Sequence, residues 1–152
     1  MRHLARGTRF QYTHYYASPP EENSETSPPV YRLSRSQAPP NSLSNFPIHA
    51  SIEALDREAL RILTLPGVYE SAAASHDSFA TYLGRTKNTI CGRHPIGILL
   101  GALAQLEKLS EGGDDHREGR RAVVKWVKYA QSSKCFDTSD SSVSYASAYV
   151  VF

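Results

Sequence analysis

The residues best suited to chemistry lie in one short segment, 88–97, which contains a cysteine, an arginine and a histidine among glycines. Cys91, Arg93 and His94 come directly before Pro95, and proline is favoured in the first turn of a helix. The free N–H groups and the dipole at a helix start stabilise a thiolate or a bound anion. The segment therefore indicates a nucleophile, a soft-metal ligand or an anion-binding group.

Each of these side chains also has a structural alternative. Cys91 is either a reactive thiolate or a small residue in a close-packed turn, because free cysteine is among the most buried residue types. His94 is a ligand, an acid/base group or the cap of the next helix, and Arg93 holds an anion or covers a helix end. Two potential ligands do not build a catalytic metal site, which needs about three protein ligands and an open position.

Length and charge narrow the class of protein. The chain has 152 residues, enough for one domain. Seventeen basic and fifteen acidic side chains leave a formal charge of +2, which lacks the strong positive field of a nucleic-acid-binding protein. No apolar run reaches the roughly 18 residues that span a bilayer. We therefore expect an intracellular protein of the cytoplasm, with the nucleus as a second location, and both Cys91 and Cys135 as free thiols.

Hydrophobic periodicity predicts three helices and three strands that must position the cysteine segment. The predicted helices run from Ser51 to Pro66-Gly67, from an Asp77 cap to Gly84, and from Pro95 to Gly112-Gly113, and the predicted strands cover 8–16, 123–130 and 143–152. In the third helix, one apolar stripe is expected inside: Ile96, Leu99, Leu100, Leu103 and Leu106. These elements predict an α/β fold with a partial central sheet flanked by helices.

Residues 17–47 differ from the rest of the chain in composition. Seven prolines and seven serines fall within these 31 residues, without a hydrophobic period. Such a composition predicts a disordered insertion within a single partial domain spanning 1–152.

Several segments together resemble the Memo family. The match runs from Gly7 to Tyr16, resumes from Ser51 to Asp56, and is nearly word for word over 88–97. It continues in Tyr129-Ala130-Gln131-Ser132-Ser133 and in Asp140-Ser141-Ser142-Val143-Ser144-Tyr145-Ala146. The resemblance implies an α/β domain similar to class III extradiol dioxygenases. This chain would correspond to the C-terminal half of that domain.

The resemblance also implies a pocket in which two histidines and one cysteine bind iron or copper, with redox chemistry as the activity. Cys91 matches the cysteine ligand, and both ligand histidines belong to the N-terminal half, which is not in this sequence. Arg9 matches a position bordering the pocket, and its structural alternative is a solvated charge at a strand end.

These expectations lead to a Memo-like fragment whose full-length relatives are metal-binding redox proteins. Cys91 is then the metal ligand and His94 the acid/base candidate, and we expect no turnover because one thiolate does not hold a labile metal. The alternative is a non-catalytic module that binds phosphotyrosine peptides through Arg9 and Arg93. A third interpretation is a fragment without independent function.

Overall fold

The computed structural model describes residues 2–4, 14–16, 18–19, 28–32, 46–111, 121–137 and 140–152, with 2–4 as backbone. Its elements follow the order β1 (Arg2–Leu4), β2 (His14–Tyr16), β3 (Val30–Arg32), α1 (Ile48–Leu63), α2 (Ala72–Thr86), α3 (Arg93–Glu111), β4 (Val123–Gln131) and β5 (Ser141–Val151). The fold is mixed α/β, as the sequence predicts. No helix in these ranges is long and apolar enough to cross a membrane.

The described strands form two small antiparallel sheets rather than one central sheet. The larger has the order β1-β5-β4, and the smaller pairs β2 with β3. Lys125 pairs with Tyr149 and Gln131 pairs with Ser144, with a register shift between Trp126 and Lys128. Strands β4 and β5 match their predicted positions within two residues, whereas three-residue strands such as β1 and β3 are too short to show a period.

The main hydrophobic core lies between the three helices and one face of β4. Ile62, Phe79 and Leu100 represent the three helices in this cluster, and Val124 represents the strand. The indole N–H of Trp126 donates to the Leu60 carbonyl at 3.1 Å. One face of the larger sheet is thereby fixed on α1.

Helix α1 begins three residues before the predicted start. The sequence predicts a start at Ser51, whereas Pro47 is the N-cap and Ile48 the first residue. Ser51 is fully buried, and its hydroxyl accepts a hydrogen bond from the Tyr16 backbone N–H at 2.8 Å. Its side chain thus joins the helix to β2 instead of capping the helix. At the other end, a Cβ on Gly67 would lie 2.7 Å from the Thr64 carbonyl oxygen, so the following turn requires glycine.

Helix α2 extends beyond both predicted bounds. Ser71, rather than Asp77, is the N-cap, and its hydroxyl accepts from the Ala74 N–H at 3.2 Å. The helix continues through Gly84, the predicted stop, to Thr86. The helix ends where Lys87 takes the left-handed conformation, with φ at 53°.

Helix α3 is confirmed in extent, and its predicted stripe is only partly buried. Leu100 and Leu103 are inside, while Leu99 and Leu106 are 45% and 44% exposed. The reason is that α3 buries one narrow line of residues, which includes the polar Glu107.

Most of the predicted insertion, 17–47, lies outside the described residues, as do residues 8–13 of the first predicted strand. Within 17–47, Val30–Arg32 forms β3 and pairs with His14–Tyr16. Tyr16, in β2, packs with Leu55 of α1 in a second small core.

Candidate functional site

The cysteine segment forms a turn between two helices. After Lys87, residues 88–90 have no regular structure, Cys91 and Gly92 turn, and α3 begins at Arg93. Ile90 is only 3% exposed, and its carbonyl accepts the Arg93 backbone N–H at 3.1 Å. The Ile96 N–H donates to the Gly92 carbonyl at 3.0 Å. The turn is therefore tied to the first turn of α3 by backbone hydrogen bonds.

Three of the four predicted site residues lie on this turn. Cys91 is a free, exposed cysteine, and His94 is exposed in the first turn of α3. Arg93 is exposed, and its guanidinium donates to the Ile90 carbonyl at 3.3 Å. Arg9, the fourth, lies outside the described residues. Of the two free cysteines, Cys91 is therefore the exposed one and Cys135 the buried one.

A buried carboxyl group lies under the turn. Asp56, in α1, is completely buried. Its Oδ2 accepts from the Tyr129 hydroxyl at 2.9 Å, and its Oδ1 accepts from the Asn88 amide at 3.3 Å. The same Asn88 amide donates to the Tyr82 hydroxyl at 2.7 Å, and Tyr82 donates to the Leu55 carbonyl at 2.8 Å. We call Asp56, Asn88, Tyr82 and Tyr129 the Asp56 network; it joins α1, α2, the turn and β4.

The network continues along β4 to the second cysteine. The Gln131 amide donates to the Tyr129 hydroxyl at 3.2 Å and to the His49 carbonyl at 3.0 Å. The His49 backbone N–H donates in turn to the Cys135 carbonyl at 3.0 Å. On the outer side, the Arg57 guanidinium lies 5.7 Å from the centre of the Tyr129 ring. Polar contacts thus run from the Cys91 turn to the loop after β4.

Burial keeps both phenols of the network protonated. It raises the pKa of Tyr82 and of Tyr129 well above the ordinary value of about 10, and the negative charge of Asp56 adds to the rise in both. A phenol that keeps its proton remains a hydrogen-bond donor. Both phenols therefore remain hydrogen-bond donors across the physiological pH range.

Sequence reasoning missed Asp56, Tyr82 and Tyr129 as partners of the turn. Periodicity places Asp56 on a helix but gives no sign that it is buried, since Asp is almost never buried without partners. One signal was available: Asp56, Asn88 and Tyr129 fall in three separate segments typical of one family. The structure brings these segments together.

The described residues do not by themselves fit a complete metal site. No group of three or more His, Cys, Asp or Glu side chains in the described ranges is placed to hold a metal ion. Cys91 and His94 offer a thiol and an imidazole, donor types that suit copper and iron. They fall short of the three protein ligands that an open catalytic site needs.

The fold and these contacts define a mixed α/β protein that fixes an exposed cysteine turn over a buried carboxyl group. The sequence profile described as Memo-like protein matches residues 1–149. The chain belongs to this Memo family.

Three relatives of this chain carry MEMO1 in their names. The chain is 37% identical over 147 residues to the MEMO1 family protein MHO1 of Saccharomyces cerevisiae. This alignment covers 95% of this chain and 39% of that protein. It is 36% identical over 145 residues to Protein MEMO1 of Danio rerio, covering 95% of this chain and 34% of that protein. With Protein MEMO1 of Homo sapiens it shares 40% identity over 99 residues, 65% of this chain and 28% of that protein. The chain thus spans less than two fifths of each of these relatives.

Proposed function

We propose that this chain is part of an iron- or copper-binding redox protein and that Cys91 is the metal ligand it contributes. The observation that carries the proposal is the placement of Cys91: its thiol is exposed on a turn fixed to both neighbouring helices, whereas the other thiol is buried. Thiolates are suitable ligands for copper and iron. On this proposal, the further ligands come from outside the described residues. The chain covers only 39% and 34% of the two relatives above that match most of its length.

On this proposal the chain alone retains metal poorly and does not turn over. A single thiolate loses a labile metal to water and to competing thiols, whereas a site with three ligands retains it. His94 lies in the adjacent helical turn and is the candidate for an acid/base or ligand role. Arg93 organises the turn through its hydrogen bond to the Ile90 carbonyl.

Copper retention tests both parts of the proposal. The purified chain is loaded anaerobically with Cu(I), and bound copper is measured before and after dialysis against a chelator, with Cys91→Ser and Cys135→Ser in parallel. Before dialysis, we expect the amount of bound copper to be lower in Cys91→Ser than in the wild-type chain and in Cys135→Ser. After dialysis, we expect little bound copper in any sample. Equal binding by Cys91→Ser would contradict the ligand role. One retained copper per wild-type chain would contradict the incomplete site.

A second candidate is a module that binds phosphotyrosine peptides. The observation in its favour is the exposed Arg93 at the start of the 19-residue helix α3, where a guanidinium and helix N–H groups together suit a phosphate. Calorimetric titration with a phosphotyrosine peptide tests it. Binding heat that disappears in Arg93→Ala supports this function, and the absence of heat removes it.

A further inference from the structure

We propose that Asp56 is a positioning residue for the cysteine turn, and that it acts by fixing the side-chain amide of Asn88. The inference rests on the proposed function, because that function gives the position of Cys91 its importance. Asp56 does not itself reach a ligand in this proposal. Its role is to hold the segment that presents the thiol.

The first support is the burial of Asp56. Its side chain has no exposure to solvent, although it lies on a helix of a small protein. A buried carboxyl group is unfavourable unless its oxygens accept hydrogen bonds. Both oxygens do so here, one from β4 through Tyr129 and one from the turn through Asn88. Asp56 therefore joins the sheet and the turn at one point in α1.

The second support is that the Asn88 amide has only one allowed orientation. A carboxylate accepts and does not donate, so the NH2 group must face Asp56. Tyr82 gives its proton to the Leu55 carbonyl and so accepts from the same NH2 group. The remaining Oδ1 of Asn88 is buried and has no hydrogen-bond partner in the described part of the chain. The amide is thus held by its donors, and Asp56 determines the direction in which it points.

The third support is the short connection from Asn88 to Cys91. The Asn88 backbone N–H donates to the Thr86 hydroxyl at 3.2 Å, and that hydroxyl is fixed on the Tyr82 carbonyl at 2.8 Å. Two residues later the buried Ile90 accepts the N–H of Arg93. The thiol of Cys91 therefore lies between two fixed points, of which Asn88 is the one held by a polar contact to another helix.

Exchanging the two side chains tests this contact. In Asn88→Asp, two carboxyl groups face each other and the amide donor is lost. In the double variant Asp56→Asn with Asn88→Asp, the amide and carboxyl groups are interchanged, so the hydrogen bond can form in the opposite direction. A carboxyl group that only filled space at position 56 would give no such rescue.

The measurement is amide hydrogen exchange at Arg93 and Ile96, compared with Val124, whose N–H donates to the Leu65 carbonyl in the core. In Asn88→Asp we expect the turn amides to exchange about tenfold faster or more relative to Val124, since losing a buried hydrogen bond to a charged group has effects of this size. The exchanged pair should recover part of that protection, because it restores the contact between positions 56 and 88 but not the donor to the Tyr82 hydroxyl. Ser75→Ala is the matched control: it removes a buried hydroxyl that donates to the Ile62 carbonyl and should leave the ratio unchanged.

Every outcome bears on the proposal. Uniformly faster exchange in Asn88→Asp, or no recovery in the exchanged pair, overturns it. If the single variant does not fold, recovery of a folded protein by the exchanged pair is the same rescue, and its failure also overturns the proposal. Copper bound before dialysis is a separate readout. If Cys91→Ser binds as much copper as the wild-type chain while the exchange results agree with the expectation above, the proposed function alone has failed.

Discussion

The two cysteine side chains have opposite environments, and this difference is measurable directly. Cys91 is exposed, whereas Cys135 is 3% exposed and packs with Ile48 and Ile52. Burial raises the pKa of Cys135, and the nearby charge of Asp140 raises it further. Because the thiolate is the reactive form, Cys135 should react only when the structure opens.

We expect iodoacetamide to modify Cys91 about a hundredfold faster than Cys135 in the native chain, since the buried thiol reacts only after local opening. Mass spectrometry of tryptic peptides at timed intervals measures both rates. In Cys91→Ser the fast phase should disappear, and in urea both thiols should react at similar rates. Comparable native rates for the two cysteines would show that Cys135 is not protected.

Sequence could place the exposed part of the site but not its support. Cys91, Arg93 and His94 are adjacent in the chain, so one turn followed by a helix is enough to bring them together. Asp56 and Tyr129 are 73 residues apart, and no local pattern states that they meet. Their contact depends on how α1 packs against β4, which is a tertiary property.

At the scale of elements, one carboxyl group joins three of them. Glu107 in α3 is 7% exposed. Its Oε2 accepts from the Ala72 N–H at the start of α2 at 2.9 Å, and its Oε1 accepts from the Ala122 N–H before β4 at 3.2 Å. Two buried donors from different elements thus depend on a single side chain.

Glu107→Ala should therefore lower the free energy of unfolding by about 3 kcal/mol, because hydrogen bonds to charged groups contribute most and their loss leaves buried N–H groups unsatisfied. Alanine is a good helix former, so helix propensity does not explain a loss. Urea denaturation measures the change. The control is Glu111→Ala on the exposed end of the same helix, where we expect less than about 0.5 kcal/mol. Equal small effects in both variants would exclude the bridging role of Glu107.

Helix boundaries show why the three helices were predictable in number and less so in extent. The apolar period reveals α1, α2 and α3, but the choice among candidate caps depends on contacts elsewhere. Ser51 resembles an N-cap and is used by Tyr16 instead. Asp77 resembles one as well, yet Ser71 begins the helix earlier because the buried Ala72 packs in the core and binds Glu107.

At the scale of the whole molecule, several large apolar residues of the described chain are exposed to solvent. Ile98 and Leu109 of α3 are 74% and 75% exposed, and Tyr145 of β5 is 62% exposed. Leu99 and Leu106, which the sequence predicts to be inside, are 45% and 44% exposed, because periodicity identifies an apolar face but not what covers it. Buried polar groups also join the elements of the fold. They are the carboxyl groups of Asp56 and Glu107 and the hydroxyl groups of Tyr16, Tyr82 and Tyr129.

Those three tyrosines couple the stability of the molecule to alkaline pH. Burial raises the pKa of Tyr16, Tyr82 and Tyr129 in the folded chain, and in Tyr16 a hydrogen bond to Glu58 adds to the effect. In the unfolded chain each phenol titrates near its ordinary pKa of about 10. Below this pH both states keep the protons, so the full stabilisation is present. Above it the unfolded chain releases protons that the folded chain retains, so stability falls as pH rises.

We expect urea unfolding to show constant tyrosine-linked stability up to about pH 9 and a decline above about pH 10, with a slope of up to 1.4 kcal/mol per pH unit for each tyrosine. Tyr129→Phe should make the decline less steep, because it removes one of the three titrating groups. Tyr145→Phe is the control. Because Tyr145 is 62% exposed, this substitution should leave the slope unchanged. A slope that responds equally to both substitutions would mean that burial of these phenols is not what links the folded state to pH.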